Sequence, residues 1–104
     1  MPSDGEQTLA EIRTNIDSLD REIVTLLRDR EQLVRRAGRL KRDTDAVLAP
    51  DRVEAVIVRV RAIAEEVGAS ATVVERTYRS MVTAFIELEL SVHHDSISDR
   101  ERSR

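Results

Sequence analysis

Cysteine and tryptophan are both absent from this chain of 104 residues, and it holds one phenylalanine and one tyrosine. Without cysteine there can be no disulfide, no thiolate nucleophile and no thiolate-ligated metal. Without aromatic bulk the core must be built from Val, Leu, Ile and Ala. No apolar run approaches the ~20 residues that cross a bilayer, and the N-terminus has no signal-peptide apolar region. A cytoplasmic protein with no membrane partner is therefore expected. Neither sign of charge dominates, since 17 Lys and Arg face 20 Asp and Glu for a net charge of -3. That balance argues against a general nucleic-acid binder. There is no Gly-rich phosphate loop, no HExxH and no serine-nucleophile elbow. His93 and His94 have no metal-ligand spacing around them and read as non-catalytic. No metal and no cofactor is expected.

What is present is helical periodicity. After a polar start over residues 1–8, expected to be flexible, Thr8 and Glu11 have the spacing of a capping box. Leu9, Ile12, Ile16, Leu19, Ile23, Leu26, Leu33, Ala37 and Leu40 then mark one face of a single helix of about 35 residues. Gly38 weakens it slightly. A helix of this length predicts a coiled-coil-like partnership, and charge-rich helices that are marginal alone need one another or a second subunit. Arg42 to Pro50 reads as a loop. Val53, Val56, Ile57, Val60, Ile63, Ala64 and Val67 define a shorter second helix, with Pro50 in its first turn and Gly68 at its end. Ser70 caps a third helix carried by Val73, Val74, Thr77, Tyr78, Met81, Val82, Phe85, Ile86 and Leu90. The β-branched content suits strands, but the period near 3.6 decides for helices. The fold expected is all-α, with a domain over residues 9–94 and a polar, disordered tail over 95–104.

Some charges stand where apolar residues belong. Arg30 lies roughly 40° from Leu26 and 20° from Ala37 around the first helix, inside its apolar face. Lys41 follows at about 20° from Arg30 and roughly 16 Å further along the axis. Two long cations so placed can hold a small dianion between them; otherwise their repulsion and desolvation are hard to justify. Glu89 falls near the apolar line of Val82, Phe85 and Ile86, and its natural partners are those cations or a ligand oxygen that needs a protonated carboxyl. Each has a plainer reading: Arg30 as a snorkelling side chain, Lys41 as a helix-end cation, Glu89 as a structural ion pair. Arg13 and Arg52 read as solvated residues, and Tyr78 and Phe85 as packing. The basic run Arg35, Arg36, Arg39 and Arg42 reads as a solvated helix face, because Asp29 and Glu31 precede it.

The segment LAEIRTNIDSLDREIVTLLRDREQLVRRAGRLK, with its early Arg, its I-D-x-L-D and its later Arg and Lys, resembles the first helix of AroQ-type chorismate mutases. The similarity runs from about Leu9 to Val92 and is most specific in the first helix. It implies three helices per chain in an intertwined homodimer, with shared active sites for a small dicarboxylate. Arg13 would come from the partner subunit to bind one carboxylate, and Arg30 would bind the other from its own subunit. Lys41 and Glu89 would face the ether oxygen of chorismate, and Lys41 also the enolpyruvyl carboxylate. Arg52 would help organise the pocket, with Val53 and Phe85 beside the substrate.

The reaction implied is the Claisen rearrangement of chorismate to prephenate, a step of aromatic amino-acid synthesis that needs no nucleophile, metal or redox cofactor. Three positions depart from the usual family pattern. Val53 and Ala49 stand where acids are usual, and Glu89 replaces the usual Gln, as it does in the fungal chorismate mutases. The AP-x-RV segment also resembles isochorismate-pyruvate lyases. The combination of that RV with a late Glu resembles 4-amino-4-deoxychorismate mutases. A reading from another class is a non-catalytic helical dimerisation or regulatory module.

Overall fold

The computed structural model describes residues 7–103. Residues 1–6 of the expected flexible start, and Arg104 of the expected tail, lie outside the described residues. Helices α1 (Leu9–Leu40), α2 (Thr44–Leu48), α3 (Pro50–Val67) and α4 (Ala71–Arg102) follow one another, and no strand occurs among the described residues. The chain divides into two compact units, Met1–Gln32 and Leu33–Arg104.

The described part of the first unit is the first three-quarters of α1. Its start is the capping box expected from the sequence: Glu11 N donates to Thr8 Oγ1 at 3.1 Å, and Thr8 N donates to Glu11 Oε2 at 3.3 Å. Two of the backbone donors that a helix start leaves orphaned are thereby satisfied. The apolar stripe of this unit is open to solvent: Ile12, Ile16, Leu19, Ile23 and Leu26 are 40% to 66% exposed.

The second unit has a core of Val47, Val56, Ile57, Val60, Ala64, Val82 and Val92. Helices α3 and α4 pack together, and α2 packs on α4 as well. The turn between α3 and α4 is built as the sequence suggests. Gly68 sits at φ 77°, a left-handed conformation open to a residue without a Cβ. Ser70 Oγ then accepts from Val73 N at 3.2 Å to start α4.

Two expectations change. The stretch read as a loop from Arg42 to Pro50 contains the five-residue helix α2, which joins the three expected helices among the described residues. Asp43 nucleates it by accepting from Ala46 N at 2.8 Å, and Ala49, at φ 30°, turns the chain directly into Pro50 at the start of α3. The tail expected to be disordered is helical to Arg102. Nothing in Asp95–Arg102 breaks a helix, and extending an existing helix is far easier than nucleating one. Arg100 also anchors it, donating to Ser96 Oγ at 3.2 Å and to the backbone oxygen of Arg39 at 2.6 Å.

Candidate active site

The close approach of α1 to α4 begins at Gly38. A Cβ there would stand 3.1 Å from Glu89 Cγ, 3.2 Å from Glu89 O and 3.4 Å from Val92 Cγ1. The residue that only weakens a lone helix is thus the one that lets two helices touch. The last carbonyls of α1 would otherwise lack partners. The Ala37 carbonyl accepts from Lys41 N at 3.0 Å, the Gly38 carbonyl from His93 Nδ1 at 3.0 Å, and the Arg39 carbonyl from Arg100. Two of these donors are side chains of α4, so the end of α1 is fastened to the later turns of α4.

That fastening sets Lys41 opposite Glu89. Lys41 Nζ pairs with Glu89 Oε1. The Glu89 side chain is 8% exposed, while that of Lys41 is 30% exposed. Oε1 is fully buried and receives no well-directed hydrogen bond, so the contact holds by charge rather than by alignment. A buried carboxylate is tolerable beside such a cation and expensive without it. The pair leaves the remaining N–H groups of Lys41 on its more exposed side, able to donate to a ligand oxygen. Of the site residues expected from the sequence, these two are brought together.

Arg13, exposed, and Arg30, half-buried, both lie on α1 within the first unit. Arg52 is exposed on the first turn of α3. Its neighbour Val53 is half-buried and lines a groove of about 700 Å³ with Asp45, Leu48, Pro50 and Glu54. Lys41 and Glu89 are not part of that lining, so the groove and the ion pair are separate features. Phe85 is half-buried, one turn before Glu89 on α4.

The burial of His93 is a feature that the sequence does not announce. His93 is the largest fully buried side chain among the described residues, and it bonds α1. Its spacing of four from Glu89 puts both on one face of the helix, which is the signal that could have found it. No group of three or more metal-ligating side chains occurs among the described residues.

The described residues are thus all-helical, and they hold a Lys–Glu pair with a buried carboxylate where the first and last helices meet. The chain belongs to the chorismate mutase type II family, whose model matches residues 12–90. It is 36% identical over 74 residues to the T-protein of Haemophilus influenzae, a match covering 70% of this chain and 20% of that protein. It is 37% identical over 78 residues to the isochorismate pyruvate lyase of Pseudomonas aeruginosa, covering 75% of this chain and 77% of that one. The chain thus spans only a fifth of the first relative and about three-quarters of the second. Family and relatives together point to an enzyme of the chorismate mutase and lyase class.

Proposed function

We propose that the protein catalyses the Claisen rearrangement of chorismate to prephenate as a homodimer with two shared sites. In that step the ether C–O bond breaks as a C–C bond forms between the enolpyruvyl carbon and the ring. No proton or electron leaves the substrate. The protein has two tasks: to hold the side chain over the ring, and to stabilise negative charge that grows on the ether oxygen. The buried Lys41–Glu89 pair carries the reading. Lys41 donates to the ether oxygen, and Glu89 adds a second hydrogen bond when it carries a proton. Because that charge is greater in the transition state than in the ground state, these contacts accelerate the step and do more than bind. Arg13 and Arg30 hold the two carboxylates, which are equally charged throughout, so they orient the substrate.

Two features of the first unit support the shared site. Arg13 and Arg30 are 17 residues apart on one helix, which is roughly 25 Å along its axis and about 100° around it. One small dicarboxylate does not reach both on the same chain, whereas an Arg13 from a partner meets no such limit. The exposed stripe from Ile12 to Leu26 is also a face that a second copy would bury.

A second reading is isochorismate-pyruvate lyase activity on the same scaffold. It is favoured by the lyase relative and by the segment Ala49-Pro50-Asp51-Arg52-Val53, which has no acid after its Arg. Incubating the purified protein separately with chorismate, isochorismate and 4-amino-4-deoxychorismate tests both readings. Prephenate as the main product supports the mutase; salicylate with pyruvate moves the function to the lyase, and amino-deoxyprephenate to the amino-substrate mutase. No turnover of any of the three sinks the enzyme reading and returns the chain to a helical dimerisation module.

A further inference from the structure

We infer that His93 is a positioning residue for the Lys41–Glu89 pair: its Nδ1–H, bonded to the Gly38 carbonyl, holds the end of α1 at the height where Lys41 meets Glu89. The inference rests on the reaction proposed above for its catalytic consequence, but the geometry stands apart from that reaction. His93 is fully buried, and its Nδ1 lies 3.0 Å from Gly38 O. A carbonyl only accepts, so the ring hydrogen sits on Nδ1 in this contact. The Gly38 carbonyl belongs to the last turn of α1, where carbonyls run out of backbone donors. Lys41 follows in the next turn and is tied back by its own N–H to Ala37 O. On α4, His93 is one turn beyond Glu89, on the same face. Gly38 meets Glu89 Cγ and O at the spacing of a missing Cβ. One hydrogen bond therefore links the turn that carries the ammonium to the turn that carries the carboxyl.

The other nitrogen makes a packing role a poor explanation. Nε2 is buried as well and has no hydrogen-bond partner among the described residues. A side chain kept here for volume alone would better be Leu or Phe, which bury no orphan nitrogen. An imidazole at this place brings one unmade hydrogen bond, and the hydrogen bond that compensates among the described residues is the one from Nδ1 to α1. Arg100 makes a comparable bond to the Arg39 carbonyl, but from the exposed side. His93 alone makes it from inside, next to the pair.

The test compares His93→Asn, His93→Gln and His93→Leu. In Asn the amide nitrogen stands two bonds from Cβ, as Nδ1 does. Gln carries its nitrogen one bond further out, and Leu has none. A packing role ranks Leu and Gln above Asn, because they fill more of the space; a positioning role ranks Asn first. Two quantities are read: the Lys41–Glu89 contact in crystal structures of the variants, and kcat and KM on whichever of the three substrates the wild type converts. Positioning predicts that His93→Asn keeps the contact and keeps kcat within about tenfold, while the Leu and Gln variants open it and lose about 100-fold in kcat with KM little changed. If the wild type converts none of the three but the contact still follows the donor, the proposed reaction fails and the positioning stands. A Leu or Gln variant that retains the contact, or an Asn variant that loses it equally, overturns the inference.

Discussion

Glu89, buried on α4, lies against the ammonium of Lys41 just past the end of α1. The pair sets a condition on the chemistry. An ionised carboxylate only accepts hydrogen bonds, whereas a carboxamide in its place also donates. Glu89→Gln should therefore retain turnover of chorismate, because its N–H donates to the ether oxygen, and Glu89→Ala should lose most of it. Steady-state kcat for both variants decides the matter; an Ala variant as active as wild type removes Glu89 from this role.

Gly38→Ala should separate stability from activity. A helix interior gains up to about 1 kcal/mol from replacing Gly with Ala. Against this, the new methyl would meet Glu89 Cγ at 3.1 Å and the Glu89 backbone oxygen at 3.2 Å. The side-chain carbon can give way, but the backbone oxygen cannot without moving α4. The expected outcome is a small change in denaturation midpoint with a clear drop in kcat, of about tenfold or more for a displacement of a few tenths of an ångström at the pair. A variant with wild-type kcat would mean that the spacing of α1 and α4 here has slack.

Much of this was legible in the sequence, for a physical reason. Helix periodicity is a local property, and Thr8, Glu11, Pro50, Gly68 and Ser70 mark element ends through bonds to near neighbours, so those ends could be read one residue at a time. Lys41 and Glu89 were legible because charges break an apolar stripe visibly. What escaped is what depends on a second element. Gly38 reads as a flaw until α4 lies against it, and His93 reads as a helix-end residue until its partner carbonyl 55 residues away is seen. The tail reads as disordered from its polarity, but polarity says that side chains face water and little about whether the backbone stays helical. Helix α2 was lost to a composition of turn formers, although Asp43 is a good cap.

Acid should loosen the contact of α3 with α4 in a defined direction. Arg79 donates hydrogen bonds to Glu54 at 3.0 Å and to Glu75 at 2.9 Å, and Arg61 donates to Glu75 at 2.8 Å. The hydrogen bonds from Arg79, joined by those from Arg61 at Glu75, hold both carboxyls below their ordinary value of 4.5. A carboxylate held low in the folded state stabilises the fold above its unfolded value, and that stabilisation is lost as pH falls through the lower, folded value. The window is therefore below about pH 4.5, and the pairs are exposed enough that the effect is modest and reduced by salt. Arg79→Met should lower the thermal midpoint slightly at pH 7 and leave it almost unchanged in acid below that window, so that its decline is flatter than that of the wild type. An equal decline in the variant would assign acid sensitivity to other groups.

The exposed stripe of α1 gives a prediction about association. Ile16, Leu19 and Ile23 present apolar surface with nothing of their own unit against it. If a second copy buries it, the thermal midpoint should rise with protein concentration, as mass action requires for a folded dimer. Leu19→Glu should break the assembly and, with it, activity, because Arg13 then reaches no site. Sedimentation equilibrium beside an activity assay reads both. A monomeric wild type with full activity would refute the shared site outright.

Arg30 distinguishes an enzyme from a helical dimerisation module. In a module, Arg30→Leu exchanges a half-buried cation for apolar surface on the face where helices would meet, and there is no turnover to lose. In the enzyme the same variant loses a charge-assisted hydrogen bond to a substrate carboxylate, worth about 1.5–3 kcal/mol, or roughly a 10- to 100-fold loss in kcat/KM. The dimer should persist, since Leu extends the face on which the helices would meet. Activity and mass are therefore measured on one preparation. Turnover lost from an intact dimer places Arg30 on the substrate. A variant dimer that persists, in a protein whose wild type turns over none of the three substrates, would leave the helical pair as the function.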